Sequence, residues 1–261
     1  MKICALSSGS KGNATIVESE GKALLVDDGI TMKLLRERLG ARDMSLNDID
    51  AILITHEHSD HIKGVATLAH HLNIPVYAPE ACIDTIISKS QGKAIDIRPI
   101  SETGNEICGL DVESFRVPHD AIYTVGYTIA DGRERVGIST DLGEVTPSAL
   151  RHLSTCNVVM LESNHDRDML LGGSYPYPLK MRIDSTNGHL SNDSSATAIA
   201  SLYEKGVTRF VLAHLSEDNN TPEIAFDRVC REFERERLVM GYDYTLDIAS
   251  AYSATKIINC K

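Results

Sequence analysis

Three imidazoles and a carboxylate occur within six residues in the segment Leu53-Ile54-Thr55-His56-Glu57-His58-Ser59-Asp60-His61. The segment follows the apolar run Ala51–Ile54, which lacks alternation and is typical of a strand buried on both faces. It precedes Asp60–Leu72, where apolar residues recur on one face of a predicted helix. Because neutral imidazole and carboxylate are common ligands of zinc, iron and manganese, this strand-to-helix turn predicts a metal site.

Strands and helices follow one another in two similar groups on either side of this turn. Short strands are predicted first, and strands that alternate with helices come next, a succession that returns with the buried runs Val158–Leu161 and Phe210–Ala213. This order predicts two sheets packed together, with helices on both outer sides. We therefore expect an α/β fold, a four-layer αββα sandwich, in a single domain that covers residues 1–261.

The composition is that of an ordinary globular chain with an acidic surface. Hydrophobic residues make up 42% and charged residues 24% of the chain, and the formal net charge is −11. These values argue against a largely disordered or fibrous protein. A charge of this sign repels nucleic acid and anionic membranes at long range, so a polyanionic substrate requires local positive charge. The apolar runs are too short to span a bilayer, and we expect no membrane association.

The six cysteines are widely spaced and form neither a CxxC motif nor zinc-finger spacing. The N-terminal segment turns to Ser and Gly after Leu6 and lacks the apolar stretch of a signal peptide, so it predicts a first strand. An even number of cysteines would permit disulfides. We nevertheless expect reduced, structural cysteines and a cytoplasmic location.

The pattern H-x-H-x-D-H in His56–His61 resembles the signature of the metallo-β-lactamase superfamily at every defining position. The resemblance implies further ligands after later strands, and His119, Asp141 and His214 match these positions. It implies two divalent metal ions, zinc, manganese or iron. One is expected to bind His56, His58 and His119, the other Asp60, His61 and His214, with Asp141 as the bridge.

A supporting carboxylate is also implied by this resemblance. Asp28, in Asp28-Gly29 at the end of a predicted strand, matches an Asp that in the superfamily contacts the metal ligands rather than the metal. Asp27 is the competing assignment. All of these residues follow predicted strands, where loops converge on a site in layered α/β architectures.

The residue at the bridging position separates the branches of the superfamily. Asp141 resembles the phosphodiesterase and thioesterase branches, whereas the lactamases have Cys at this position. The interval from Asp141 to His214 leaves no room for the large inserted domain of one nuclease branch. Four segments extend a more specific resemblance, to the YycJ/WalJ family of bacterial proteins, over essentially the whole chain: Leu161–Asp166, Tyr175–Ile183, Gly188–Asn192 and Leu212–Glu223.

This second resemblance implies a metal-dependent hydrolase that degrades DNA from its 5′ end, with a link to DNA-repair proteins. A hydroxide on the metals would attack phosphorus. The catalytic residues implied are Asp60, His189 and Glu162. His189 would protonate the leaving oxygen or hold the scissile phosphate, and a neighbouring carboxylate would keep it charged. Glu162 matches that carboxylate best, and Asp166 is the alternative.

Donors for a phosphate are expected in two further segments. Lys180 and Arg182 lie shortly before His189 and would supply local positive charge. The loop after the first strand offers amides, hydroxyls and a lysine that would hold a terminal phosphate, with Ser8, Ser10, Lys11 and Asn13 as the candidate residues. A solvated face and a flexible turn are the alternative interpretations of these two segments.

Two other functions stay open at the level of the sequence. One is a small-molecule phosphodiesterase of the same fold that opens cyclic phosphates, and the other is a non-catalytic metal-binding regulatory protein. The filled ligand positions weigh against the second. A diiron oxidoreductase is disfavoured because that branch has Glu at the position of His58. The sequence favours no oligomeric state and no role for His165 over structural capping.

Overall fold

A computed structural model describes residues 1–261 and contains two seven-stranded sheets. The strands of the first sheet are β1 (Lys2–Ser7), β2 (Ala14–Ser19), β3 (Lys22–Val26), β4 (Ala51–Leu53), β5 (Val76–Ala78), β6 (Ile97–Pro99) and β14 (Ile258–Asn259), in the order β14-β1-β2-β3-β4-β5-β6. The strands of the second sheet are β7 (Asn105–Ile107), β8 (Leu110–Val117), β9 (Thr124–Ala130), β10 (Arg135–Ser139), β11 (Val158–Glu162), β12 (Arg209–Ala213) and β13 (Thr245–Ile248), in the order β13-β12-β11-β10-β9-β8-β7.

Helices cover the outer face of each sheet. They are α1 (Met32–Gly40), α2 (Ser59–Ile62), α3 (Val65–Leu72), α4 (Ile83–Ser88), α5 (Pro147–Leu153), α6 (Arg167–Gly172), α7 (Tyr177–Ile183), α8 (Asn192–Tyr203) and α9 (Pro222–Arg235), with 3₁₀ turns at Leu46–Asp48 and Glu80–Cys82. None of these helices combines the length and the apolar composition needed to cross a membrane.

Strand alternation produces the layers. In β1, Ile3 and Ala5 point into the core between the two sheets, whereas Cys4 and Leu6 point to the opposite face, where helices α1, α3 and α4 pack. On the second sheet, α5, α8 and α9 cover the outer face in the same way. The four-layer αββα prediction is therefore confirmed.

The helix predicted over Asp60–Leu72 is two helices. α2 ends at Ile62 and α3 begins at Val65, because the backbone of Gly64 turns toward the loop after β3. The Gly64 amide donates to the Asp28 carbonyl at 2.7 Å, and a Cβ at Gly64 would lie 2.4 Å from a carboxylate oxygen of Asp28. This contact at the break therefore holds the histidine-rich turn against the end of β3.

The segment around Lys180 and Arg182 is helical, which the sequence interpretation did not foresee. Pro176 caps α7, and a second proline occupies the first turn, where the missing amide hydrogen costs no helical bond. Both basic residues thus lie on a short helix rather than in an extended loop.

Parallel pairing brings the strand ends of each sheet to one edge. β3 pairs in parallel with β4, and β10, β11 and β12 are parallel neighbours. Their carboxyl ends all lead into loops that carry His or acidic residues. This edge is where the candidate site forms.

Candidate active site

The histidine-rich turn between β4 and α2 is buried. His56 and His61 have no exposed surface, and their ring centroids are 4.1 Å apart. The ring of His119, which follows β8, lies 5.2 Å from those of both His56 and His58. Imidazoles packed so closely repel one another when protonated, so the arrangement favours either neutral rings or a shared cation.

The chain reverses sharply where the remaining site residues leave their strands. Asp27 and His214 follow their strands directly, and Asp141 follows β10 after one intervening residue. The φ angles of Asp27, Asp141 and His214 are 60°, 57° and 56°. Left-handed backbone costs on the order of 1 kcal/mol or more for residues other than glycine. Strain at three neighbouring strand ends is typical of functional sites.

Backbone hydrogen bonds join the loops at this edge. The amide of Asn13 donates to the Asp60 carbonyl at 2.8 Å, and the amide of Asp28 donates to the His61 carbonyl at 2.9 Å. Gly29 packs so tightly that an added Cβ would lie 1.5 Å from the Asp60 carbonyl oxygen. The Asp-Gly pair therefore needs its glycine for close approach to the histidine-rich turn.

Asp27, and not Asp28, contacts a histidine of the site. Its carboxylate lies 2.8 Å from Nδ1 of His61 and accepts hydrogen bonds from the amide and the hydroxyl of Thr55, each at 2.9 Å. Asp28 points away, and its two carboxylate oxygens have no hydrogen-bond partner. Burial raises the pKa of Asp28 well above its usual range. The reversal at Asp27 sets this orientation, so the geometry supports the alternative assignment.

Four histidines of the site have Nδ1 engaged by the protein. Nδ1 of His61 contacts Asp27, that of His119 contacts the Gly188 carbonyl at 2.9 Å, that of His56 contacts a hydroxyl at 3.0 Å, and that of His214 contacts Glu162 at 2.8 Å. Such contacts orient imidazole rings and direct Nε2 toward a metal.

The predicted ligands are brought together as candidate metal sites. In each of three sets the ligand atoms lie within 4.8 Å of one another: His56, His58 and His119; Asp60, His61 and His214; and His56, His61 and Asp141. Three buried atoms of these residues, Nε2 of His56, Nε2 of His214 and Oδ2 of Asp141, have no hydrogen-bond partner. Buried polar atoms are normally satisfied. Together with the donor types, these unpartnered atoms fit divalent metal ions.

Asp141 lies between the two histidine sets. One of its carboxylate oxygens is 3.2 Å from Nε2 of His61, and the other is 3.8 Å from Nε2 of His119. Burial raises the pKa of Asp141, but the neighbouring His214 and His61 lower it well below its usual range. The side chain is therefore an anion placed where it can contact both sets.

The histidines differ in their electrostatic surroundings. Burial and repulsion from His61 lower the pKa of His56 well below its usual range. For His61, burial acts in the same direction, but Asp141 and Asp27 raise its pKa well above the usual range. Burial likewise lowers the pKa of His214, but nearby carboxylates raise it to about 10.

Glu162 and His189 form a pair beside this cluster. Oε1 of Glu162 lies 2.8 Å from Nδ1 of His189, and Oε2 accepts from the amides of Leu142 and Leu190 at 3.0 and 3.1 Å. Burial opposes ionisation, yet His189 and His214 lower the pKa of Glu162 to about 2. Burial lowers the pKa of His189, whereas Glu162 raises it, with a net rise. Asp166, the alternative partner, caps α6 instead.

The loop after β1 contacts the site at two points. The Ser8 hydroxyl accepts from the His214 amide at 2.8 Å, and the Asn13 amide group lies 3.0 Å from Nε2 of His61. Ser10 lines a cavity of about 200 Å³ that also contains His189. Lys11 is exposed and pairs with Glu217 at 2.6 Å.

Lys180 and Arg182 have different neighbours. The Lys180 ammonium donates to the carbonyls of Leu171 and Gly173, each at 2.7 Å, and so connects α7 to the end of α6. Arg182 pairs with Asp120 and lines the same cavity as Ser10 and His189. The structure therefore brings Arg182, but not the Lys180 ammonium, into that cavity.

A buried polar network behind the site was missed by sequence reasoning. The Ser163 hydroxyl donates to Asn192 at 2.7 Å, Asn192 donates to Asn220 at 2.9 Å, and Asn164 donates to the His214 carbonyl at 2.9 Å. The signal available was the run of polar residues directly after the buried strand β11. Glu57, in the histidine-rich turn, is also buried and accepts from the Ile122 amide at 3.0 Å.

Comparison with known proteins places the chain in a family. The model of the β-lactamase superfamily domain matches residues 24–215. Exodeoxyribonuclease YycJ of Bacillus anthracis is 35% identical over 254 residues, which cover 97% of this chain and 96% of that protein. Exodeoxyribonuclease WalJ of Streptococcus pneumoniae serotype 2 is 35% identical over 260 residues, which cover 98% of this chain and 97% of that protein.

Solved structures agree on the fold. The metallo-β-lactamase fold protein YhfI of Bacillus subtilis has a TM-score of 0.71 at 16% identity and covers 98% of this chain and 99% of its own. The short form of human tRNase Z has a TM-score of 0.69 at 16% identity and covers 99% of this chain and 100% of its own. With its family model and its near full-length relatives in agreement, the chain belongs to the metallo-β-lactamase superfamily as a metal-dependent hydrolase of the YycJ/WalJ family.

Proposed function

We propose that this protein is a DNA exonuclease that acts from the 5′ end and uses two divalent metal ions. The observation that carries the proposal is the placement of His189 and Glu162 directly beside the cluster of predicted ligands. The YycJ and WalJ relatives, both named exodeoxyribonucleases, support DNA as the substrate. Zinc, manganese and iron all suit the donor atoms.

The ligand sets divide the proposed ions between two positions. His56, His58 and His119 would hold one, and Asp60, His61 and His214 would hold the other, with Asp141 between them. Divalent ions in such a site supply an activated water at neutral pH and stabilise charge on phosphate oxygens. Asp27 and Glu162 orient the rings of His61 and His214 by accepting from Nδ1.

His189 would donate the proton to the leaving oxygen. Its Nδ1 faces the Glu162 carboxylate, so the remaining ring nitrogen is free to reach the cavity that the side chain lines. The pKa of His189 is raised by Glu162, which favours the protonated ring that an acid requires. Arg182 and Ser10 line the same cavity and would contact the substrate phosphate there.

Metal analysis combined with digestion of end-labelled DNA tests this function. We expect two ions per chain and the release of label from the 5′ end before the 3′ end, with closed circular DNA resistant. Turnover of cyclic or nucleotide-sized phosphodiesters without activity on DNA would favour the small-molecule phosphodiesterase instead. Nicking of circles, or erosion from the 3′ end first, would reject the proposed polarity.

Three wider expectations accompany this function. We propose that residues 1–261 work as one domain, because β1 pairs with β14 and so ties the two ends of the chain together. A role with DNA-repair proteins follows from the family resemblance. A cytoplasmic location, where the proposed DNA substrate would be encountered, stays a prediction.

A further inference from the structure

A basic cavity lies beside the histidine-rich turn. It has a volume of about 380 Å³ and is lined by three lysines, Lys63, Lys89 and Lys93, and by the serines Ser59, Ser88 and Ser90, among other residues. None of the residues that line it is acidic. In a chain whose net charge is −11, a concave surface with this composition requires an explanation.

The three lysines carry no compensating charge. Elsewhere in the chain, the lysines at 2, 11, 22, 256 and 261 each pair with a carboxylate, whereas Lys33, Lys180 and Lys205 form no ion pair and do not line this cavity. Lys63, Lys89 and Lys93 form no ion pair, although acidic residues outnumber basic residues by 37 to 26. Three like charges around one cavity repel one another, so the arrangement favours an anion between them.

The cavity borders the turn and the helix α2 that carry proposed metal ligands. Ser59 stands between His58 and Asp60 in the turn that carries the ligands. The Lys89 ammonium donates to the Glu57 carbonyl at 2.9 Å, one residue from each of two predicted ligands. Lys63 follows α2, which begins in the same turn. An anion held here would therefore lie against the turn that carries the proposed ligands.

We propose that this cavity binds a phosphate of the DNA strand other than the one that is cleaved. The inference rests on the proposed function and extends it to the path of the substrate. Ammonium groups and hydroxyls are the donors that contact nucleic-acid phosphates, and such contacts position the strand without reading its sequence. The cavity thereby adds local positive charge to an acidic chain.

The test uses Lys63→Ala and Lys93→Ala, singly and together, in the full chain loaded with metal. Lys89 is left intact because its bond to Glu57 supports the turn. We expect each substitution to weaken binding of a fluorescent oligonucleotide by about fivefold to tenfold, which is within the range for the loss of one ordinary hydrogen bond. The slope of log affinity against log salt should fall by about 0.7 to 0.9 for each lysine. Lys63→Arg should retain most of the affinity.

Two controls separate this site from the catalytic centre. Bis(4-nitrophenyl) phosphate has no second phosphate, so its turnover and the metal content should match those of the unaltered protein. Lys205→Ala removes an exposed lysine that forms no ion pair, just beyond the end of α8, and should leave the affinity and the salt slope unchanged. An unaltered affinity and slope in the double variant would overturn the inference, even if the protein degrades DNA. Absence of DNA degradation by the unaltered protein would instead reject the proposed function.

Substrates with and without a 5′ phosphate identify which phosphate is bound. If the double variant loses the same factor on both, the cavity holds an internal phosphate of the backbone. If the loss is confined to the 5′-phosphorylated strand, the cavity holds the terminal phosphate. Either result supports the assignment of a phosphate site, and an effect on neither substrate contradicts it.

Discussion

The two ligand sets of the proposed metal centre are next to each other but differ in charge. His56, His58 and His119 form a set of imidazoles alone, whereas His61 and His214 lie among carboxylates. Burial lowers the pKa of the first two rings, and acidic neighbours raise the pKa of the last two. Without metal, the lowered pKa values of His56 and His58 favour neutral rings, whereas the raised pKa values of His61 and His214 favour protonated rings.

Because of this difference, we expect metal binding by the two sets to depend on pH to different degrees. A metal ion and a proton compete for the same nitrogen, so a ring with a raised pKa must release its proton on binding. The carboxylates that raise the pKa also attract the ion. Metal binding by the imidazole set therefore depends mainly on the geometry of its three rings. Metal binding by the acidic set depends mainly on the charge of its carboxylates.

The largest effect is expected from residues of the acidic set. Asp60→Ala and His61→Ala should each lower the metal content from two ions toward one and abolish turnover of DNA, because each removes one of the donors of that set. His71→Ala, which alters an exposed ring on α3, is the control and should retain metal and rate. Elemental analysis and rates on end-labelled DNA measure both. Two ions and a full rate in both variants would mean that the ligand assignment is wrong.

A smaller loss is expected when the proton donor is removed and the ions are kept. His189→Ala should bind both ions yet lose a factor of about 10² to 10⁴ in rate, the usual contribution of positioned acid–base catalysis. A nitrophenyl phosphodiester, which has a better leaving group, should recover part of that loss. Loss of metal, or an equal loss on both substrates, would contradict the role of an acid.

Glu162→Gln is the companion variant, and it should lower the pKa of His189 and shift the rate profile to lower pH.

The clustering of the proposed ligands could be predicted because each signal is local. The histidine-rich turn lies within one short segment, and Asp141 and His214 lie within two residues of the ends of strands whose apolar residues are visible in the sequence. The four layers followed from the order of the predicted elements. Strand ends converge at one edge for geometric reasons, so the site could be assembled without coordinates.

Features that depend on distant parts of the chain could not be predicted. Whether Asp27 or Asp28 faces His61 depends on one left-handed residue at the end of β3. The break between α2 and α3 depends on the carbonyl of Asp28, far from Gly64 in sequence. The basic cavity joins residues of α2 and α3 with residues that follow α4, a proximity that no spacing in the sequence indicates.

The pH dependence of metal binding would sharpen the comparison between the two sets. Because the pKa values of His61 and His214 are raised, we expect protons to displace the ion of the acidic set at a higher pH than the ion of the imidazole set. The pKa values of Asp60 and Asp141 are lowered, so these carboxylates stay ionised through this range. As pH falls from 8 toward 5, we expect the metal content to drop from two to one before it reaches zero.

Single-site variants assign these two steps. In His61→Ala the remaining ion should persist to lower pH, and in His58→Ala the remaining ion should be lost at higher pH. Calorimetry in buffers with different ionisation enthalpies should detect more protons released by the ion that His58→Ala retains. Simultaneous loss of both ions in the unaltered protein, or the opposite order in the variants, would remove the distinction between the sets.

The smallest effect concerns the two basic residues of α7, Lys180 and Arg182, which have different neighbours. Arg182 lines the cavity of His189, so Arg182→Ala should reduce the preference for a 5′-phosphorylated strand by about twofold to fivefold, as expected for a partly screened charge. The Lys180 ammonium instead holds two carbonyls, so Lys180→Ala should lower the melting temperature and leave that preference nearly unchanged. Rates on paired 5′-phosphate and 5′-hydroxyl oligonucleotides, measured beside thermal unfolding, decide between the two roles. A larger loss of preference in Lys180→Ala than in Arg182→Ala would show that the lysine leaves its carbonyl partners to meet the substrate, and that the contacts seen in α7 belong to the free protein alone.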